Sequence, residues 1–437
     1  MPSRRAGEQR VGGLAAALVA LVFACPASAQ TTQENLDKYW FLRTRLATEF
    51  VHVGDQQGDS LVAHVREEGE QYIRWADTTV HHGWYLGVLA TERFLLASTA
   101  SYPGYANGQS GALAAVESEL HYALAALERL DLVADAAFPP PCTAQQQLNG
   151  FFIRDDVPAD FHQHFTGVTS ARSDFTDAGI YLKEMSQDQA YHVIFGLALV
   201  KALVPSSVEV SGQGLREWAV TQAVRIGTHM AADGWRIRNP ACDKLVARGD
   251  DARVMSQGTS LAVSFISDGA TNLPWDLLAT AAWGTLSDPG NLAYLNSDNM
   301  HMAMALAATG NGWGAGTLDA LMNLATIHGW YAYPLLNVVL AGASPPASWP
   351  THAAAAGAAT RNMLDELPSG AETASPRPQG PNPHGWSTSN RFVRASDNHY
   401  TGTDGSDFER YDGLDYLLLH NLYAIALPAS WELGAGG

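Results

Sequence analysis

The chain is poor in cysteine, in positive charge and in long apolar runs, and each shortage closes off a class of function. Three cysteines occur in 437 residues, too few for a disulfide-dense scaffold or a four-cysteine zinc site. Lysine and arginine total 26 against 44 aspartates and glutamates, a formal net charge of −18. A nucleic-acid binder displaces phosphate counterions with basic side chains, so this balance argues against one. It argues equally against adhesion to an anionic membrane surface. Charged residues make up only 16% of the chain and hydrophobic ones 46%, which is ample for a packed core and excludes wholesale disorder. Three chemical signatures are also missing. There is no His-Glu-x-x-His zinc pair, no Gly-x-Ser-x-Gly nucleophile elbow, and no phosphate-cradling glycine loop followed by lysine. A catalytic metal, an α/β-hydrolase and nucleotide chemistry are therefore not expected.

The N-terminus carries an address. Arg4, Arg5 and Arg10 precede an apolar run from Leu14 to Ala24, and Ala27-Ser28-Ala29 offers a small-x-small cleavage site before Gln30. This is the layout of a secretory signal peptide over residues 1–29. The run is too short to span a bilayer, and no later stretch reads as a membrane span. Cys25 offers a lipoprotein box as the alternative, poorly served by Phe23 and Pro26. The expectation is an exported chain, periplasmic or extracellular, cleaved near Ala29. Cys142 and Cys242 then remain, and in an oxidising compartment they either form one disulfide or stay free.

Apolar residues at helical spacing predict a mostly α chain. The clearest segments are Trp84 to Ala97, Leu113 to Leu132, Gln189 to Leu203, Leu215 to Ala231, Asp298 to Ala308, Thr317 to Ile327 and Leu414 to Ala426, with a short one near Leu335 to Leu340. Val208 to Val210 and Trp235 to Arg238 are at most short β-ribbons. Ser186-Gln187-Asp188-Gln189 reads as a capping box, and Ser297-Asp298-Asn299 opens another helix with an acid in its first turn. One domain over 30–437 is expected. Its surface excursions lie at about 341–359, rich in Ala and Pro, and at 367–385, rich in Pro, Gly and Ser.

His-Gly-Trp occurs at His82-Gly83-Trp84, His328-Gly329-Trp330 and His384-Gly385-Trp386, with variants ending at Trp235 and Trp313. One reading makes this helix punctuation with core aromatics. The other makes it a rim of aromatic platforms at element edges. Flat aromatic faces cover the apolar faces of sugar rings, which favours carbohydrate as the ligand. Trp84, Tyr85, Trp313, Trp330 and Tyr331 are the candidate platforms, and Trp40, Trp75 and Tyr333 also lie near helix ends. Arg154 and Arg236 are candidate binders of a uronate carboxylate, which guanidinium holds in bidentate fashion.

A secreted, acidic, mostly helical chain with long aromatic loops resembles the six-hairpin glycosidase group, in which helical hairpins ring a central cleft as an (α/α) toroid. The nearest local likeness is to unsaturated glucuronyl hydrolases. It lies in Ser297-Asp298-Asn299-Met300-His301-Met302, followed by Ala307-Ala308-Thr309-Gly310. An acid at such a helix start acts as general acid/base in that family, so the resemblance implies this role for Asp298. The family's His-Asp pair before Gly-Phe is absent here.

Glycosidic cleavage needs one carboxyl to protonate the leaving oxygen and usually a second as base or nucleophile. Asp298 and Asp188 are the expected pair, each in the first turn of an apolar helix. His301 lies three residues past Asp298, on the same face, and is expected to tune it. The plain alternatives are helix-terminal acids and a core or solvated histidine. Asp155 and Asp156 point opposite ways in an extended loop. One of them pairs with Arg154 or binds calcium on this reading, against a plain solvated turn. Glu184 is either a partner of Asp188 or surface. His81-His82 and His162-Gln163-His164 form no metal cluster. The function expected is a glycoside hydrolase acting on poly- or oligosaccharide. It requires no cofactor, leaves a structural calcium open, and has no nucleic-acid partner. A polysaccharide lyase with a Tyr or His base is the first alternative, and a non-catalytic glycan-binding protein the second.

Overall fold

A helix that is apolar around its whole circumference must be buried on every side, and three such helices form the centre of this molecule. The computed structural model describes residues 32–67, 71–75, 78–98, 102, 105, 109–138, 147–177, 184–241, 245–246, 256–275, 332–342, 349–366 and 409–431. Helix accounts for 63% of these and strand for 6%, so the mostly α expectation holds. The principal helices are α1 (Thr32–Arg45, running into a π turn at Leu46–Phe50), α2 (Thr78–Ala97), α3 (Gln109–Ala137), α4 (Gln187–Leu203) and α5 (Leu215–Ala232). They are followed by α6 (Ser256–Ile266), α7 (Ala332–Ala341), α8 (Trp349–Glu366), α9 (Leu414–Ala426) and the single turn α10 (Pro428–Trp431).

The buried helices α2, α4 and α9 run parallel. Gly83 of α2 meets the backbone of His192, and four residues on Gly87 meets Leu199, so α2 and α4 rise together. His81 pairs with Asp412, Gly87 packs on Leu418, and Thr91 bonds Asn421, so α2 and α9 rise together too. The helices outside them run the other way. On α3, Ala123 meets His82, Glu119 meets Tyr85 and Glu117 meets Arg93. On α1, Leu42 and Arg45 lie beside Gly413, while Tyr39 reaches Asn421. Helix α5 follows α3, Gln222 on Leu124 and Arg225 on Glu128. Contacts α2–α4, α4–α7, α7–α9 and α9–α2 close a cycle of four helices. The direct contact of α4 with α7 draws the centre tighter than a wide six-membered ring would.

The α2–α4 crossing depends on two glycines. A Cβ on Gly83 would lie 2.1 Å from the His192 carbonyl oxygen, and one on Gly196 would lie 2.3 Å from the Gly83 carbonyl. Both obstacles are backbone, so the helices themselves would have to separate. Gly83→Ala is expected to cost about 1–3 kcal/mol, read as a lower denaturation midpoint with an unchanged m-value. The glycine of this His-Gly-Trp is thus an approach point in the middle of a helix, not an edge turn.

Short strands lie at the N-terminal end of the parallel helices. Strands β1 (Val65–Glu67), β2 (Tyr72–Arg74), β3 (Ser170–Arg172) and β6 (Glu409–Tyr411) form one sheet in the order β3-β2-β1-β6. The β2–β3 pair is parallel and the other two are antiparallel. Strand β2 leads into α2, and β6 leads through Asp412-Gly413 into α9. The ribbon expected near Val208 is the two-residue pair β4 (Glu209–Val210) and β5 (Gln213–Gly214).

Two further expectations meet a different structure. Residues 349–366, mostly within the expected Ala/Pro-rich excursion and just past it, form α8, with Ala353, Ala356 and Leu364 buried. Alanine has the best helix propensity, and prolines outside the helix interior do not prevent it. Residues 1–31, both Cys142 and Cys242, the helices expected at Asp298 and Thr317, and residues 367–385 lie outside the described residues.

Candidate functional site at the N-terminal end of the central helices

On α4 every residue from Gln187 to Lys201 is buried except Asp188. On α9 every residue from Leu414 to Ala424 is buried except Asp415. Each exception is an aspartate, each is the second residue of its helix, and the parallel alignment through α2 puts both at the same end of the molecule. An acid in the first turn suits the helix dipole. That would explain one such residue on any helix, but here each acid is also the only residue not fully buried within its stretch.

The Asp188 end is held as the sequence suggests. The Ser186 backbone N–H donates to Gln189 Oε1 at 3.0 Å, completing one arm of the capping box, and the Ser186 hydroxyl donates to the Asp188 carboxylate. Gln187, wholly buried beside it, has neither amide atom bonded, and Thr79 in the first turn of α2 has an unbonded buried hydroxyl, both judged among the described residues. Buried polar atoms without partners cost free energy.

The Asp415 end was not foreseen. His81 Nδ1–H donates to Asp412 Oδ2 at 2.5 Å, which fixes the tautomer and leaves Nε2 without a partner among the described residues. The His64 ring stacks on His81 with centroids 5.0 Å apart. Asp412 Oδ1 accepts the Leu414 N–H and so caps α9. Asp415 touches solvent, yet its Oδ2 is sealed and unbonded among the described residues, while Oδ1 accepts the Tyr416 N–H. Burial first, and then the neighbouring Asp412 charge, push its carboxyl up to about 8, against the opposing pull of Arg45. At neutral pH it is a protonated acid, able to donate.

The other expected site residues are placed as follows. Trp84 and Tyr85 lie within α2 and are core side chains: Trp84 packs on Phe195, and the Tyr85 hydroxyl donates to Glu119. The expected platform role of these two gives way to packing, because α2 is buried on all sides. Trp75 is buried as well, and Trp40 is partly buried against Tyr39 and Tyr105. Arg154 Nε donates to the Glu184 carbonyl at 2.9 Å and its Nη1 lies 3.6 Å from Asp174, a structural tie between loops. Arg236 is exposed beside the Asp233 turn. Glu184 is buried and bound by Asn239 at 3.0 Å. Asp298, His301, Trp313, Trp330 and Tyr331 lie outside the described residues.

Asp155 and Asp156 do point apart, but both are buried rather than solvated. Asp155 accepts the backbone N–H groups of Val157, Asp174 and Phe175. Burial, with the Asp174 charge, still pushes it up to about 7. Asp156 pairs with Arg129 at 2.6 Å, not with Arg154, and accepts the Gly58 N–H at 3.1 Å. His82 is a neutral core histidine, bonded to the Ala123 carbonyl and lowered to about 4 by burial. Among the described residues no group of three His, Cys, Asp or Glu side chains is placed to hold a metal ion. No described helix is long and apolar enough to cross a membrane. No family model matches the chain, and no curated protein or solved structure matches it either.

Proposed function

We propose that the chain is a carbohydrate-active enzyme, a glycoside hydrolase using carboxylate acid/base catalysis at the N-terminal end of its central helices. The observation that carries this reading is the pair Asp188 and Asp415, the only residues not fully buried over Gln187–Lys201 of α4 and Leu414–Ala424 of α9, two parallel helices. Hydrolysis of a glycoside needs one carboxyl kept protonated and one ionised. Asp415 suits the donor, and Asp188, on the opposite flank of α2, suits the partner. Asp298 with His301, at the helix start that the sequence leads one to expect there, belongs to the same reading, and Trp313, Trp330 and Tyr331 belong to it as sugar platforms. Parallel inner helices with α1, α3 and α5 running against them are the relation an (α/α) toroid requires, and that architecture is part of the proposal. So are export after cleavage near Ala29, a poly- or oligosaccharide substrate and chemistry without a required cofactor.

One observation favours a second reading, a polysaccharide lyase. His81 is oriented by Asp412 with Nε2 open, the arrangement of a positioned base. It would take the C5 proton of a uronate while Asp415 protonates the departing oxygen. Incubating the purified protein with plant, algal and bacterial glycans separates the readings. New reducing ends without ultraviolet absorbance support hydrolysis. New ends with the absorbance of unsaturated uronates support the lyase. Binding without turnover across the panel overturns both in favour of a glycan-binding protein. In an active protein, His81→Gln separates them again. It is expected to abolish lyase turnover and to reduce hydrolysis by less than about tenfold.

A further inference from the structure

Beside strand β3, two loops from distant parts of the chain meet and bring two histidines into contact. Residues 51–60 follow the π turn after α1, and Phe161–His164 form a 3-10 turn ahead of β3. Gly58 sits at φ +83°, and a Cβ on it would lie 2.9 Å from the Phe161 ring. Glycine is therefore what lets the first loop seat on the second. Asp156, only 1% exposed, locks the seat. Its carboxylate accepts the Gly58 N–H at 3.1 Å, and its carbonyl accepts Gln57 Nε2 at 2.8 Å. Arg129 joins them from α3, with Nε donating to Asp156 at 2.6 Å and Nη2 to the Asp59 carbonyl at 2.8 Å.

On this frame the rings of His52 and His164 lie one over the other, centroids 4.0 Å apart and planes 34° from parallel. His52 is the fixed member. Its Nδ1–H donates to Asp59 Oδ1 at 2.6 Å, and Asp59, a buried side chain, is itself held by the Gln56 N–H on Oδ2 at 2.9 Å. A carboxylate on one imidazole nitrogen sets the tautomer and presents the other, which is how proteins support a metal-ligating histidine. His52 Nε2 has no partner among the described residues, and the side chain is 41% exposed. His164 is the movable member. It is exposed, Phe161 packs on its ring, and neither ring nitrogen is bonded among the described residues.

We infer that His52 and His164 together bind one late first-row divalent metal ion, of the copper, nickel or zinc type, with water completing its shell. Imidazole suits these ions, whereas calcium and magnesium take oxygen ligands. Two imidazoles placed cis on one ion, each nitrogen about 2.1 Å from it, keep their centroids roughly 4.5–5 Å apart. The stacked pair is short of that spacing by about 1 Å or less. A turn of the His164 side chain makes up the difference and breaks no hydrogen bond. The bound ion would tie the 51–60 loop to the 3-10 turn. None of the residues of the proposed acid/base chemistry takes part.

The test is calorimetric titration of the purified chain, carrying no histidine tag, with nickel(II), and with calcium as the contrast ion. The expected result is one saturable nickel heat and none with calcium. His52→Gln and His164→Gln should each weaken nickel binding about tenfold or more. His52→Gln disturbs the partner of a buried carboxylate. His164→Gln changes an exposed side chain that bonds to nothing, so it carries the test if the first variant does not fold. Substoichiometric copper(II) should also broaden, in the NMR spectrum of the parent, the ring-proton signals that these two variants lose. Absence of nickel heat in the parent overturns the inference. Binding unchanged in His164→Gln overturns it too, since the ion would then sit elsewhere. So does binding unchanged in a folded His52→Gln, because a site made by His162 and His164 alone would ignore that substitution.

Discussion

Arg43→Met is expected to cost about 3–5 kcal/mol of stability, enough to unfold much of the protein at moderate temperature. Arg43 leaves α1 and enters the core, where its Nε donates to Glu92 at 2.9 Å and its Nη2 to Glu119 at 2.6 Å. Tyr39 donates to Glu92, and Tyr85 to Glu119. Asn421 of α9 then donates to the Tyr39 hydroxyl at 3.1 Å and to Thr91 at 3.0 Å. One cation thus serves two carboxylates contributed by two different helices. Burial pushes Glu92 upward even with Arg43 in place, so the arginine is what makes two acids tolerable there. Removing it leaves both without that counter-charge, Glu92 in a buried side chain and Glu119 in a half-buried one. Removing the charges together is a different operation. In the triple variant with Glu92→Gln and Glu119→Gln the polar atoms keep hydrogen-bonding capacity and no bare charge remains. It should recover more than half of the loss. Denaturation midpoints of the two variants decide this. Equal losses would mean that Arg43 matters through its packing alone.

Much of the helical frame was legible because it rests on local signals. The all-round apolar runs of α2, α4 and α9 mark buried helices wherever they pack, and the Ser186–Gln189 cap is four consecutive residues. Helix α1 escaped notice because Lys38, Arg43 and Arg45 look like surface yet are buried through partners far along the chain. The four-stranded sheet has strands of three residues, too short to show alternation. Trp84 and Tyr85 looked like ligands for sugar because sequence cannot say which face of a buried helix meets another helix. The site divides the same way. Asp188 was visible from its cap. His81 and Asp412 are 331 positions apart, and no local pattern connects them. Asp415 did leave a signal, an aspartate at the second position of a mostly apolar helix, the same signature as Asp188. Read as a shared pattern rather than as two helix caps, it would have drawn the pair together.

Asp415→Asn should then separate a working acid from an ornamental one. With a folded-state value near 8 against 3.8 for the free side chain, the native protein holds this proton more tightly than the unfolded chain does. The contribution to stability is therefore complete below about pH 4 and is lost progressively as pH rises toward 8. Asparagine cannot ionise, so the variant should gain in Tm relative to the parent as pH goes from 5 to 8. Asp131 and Asp155 are raised in the same direction, but they are common to both proteins and cancel in the difference. Turnover should move the other way. A proton donor with this value is competent at neutral pH and fails on the alkaline side, so the parent's kcat/KM should fall through about pH 8. The variant should lose roughly 10²–10⁴-fold in kcat. The Asp412 charge raises the same group, and Arg45 lowers it from α1. Asp412→Asn should therefore shift the alkaline limb of the profile downward without removing it, since it takes away the negative neighbour that helps hold the proton on Asp415. A variant with the predicted stability profile but full turnover would confine Asp415 to a structural role. Loss of turnover without the change in stability profile would place the critical proton on another group, with Asp298 the next to test.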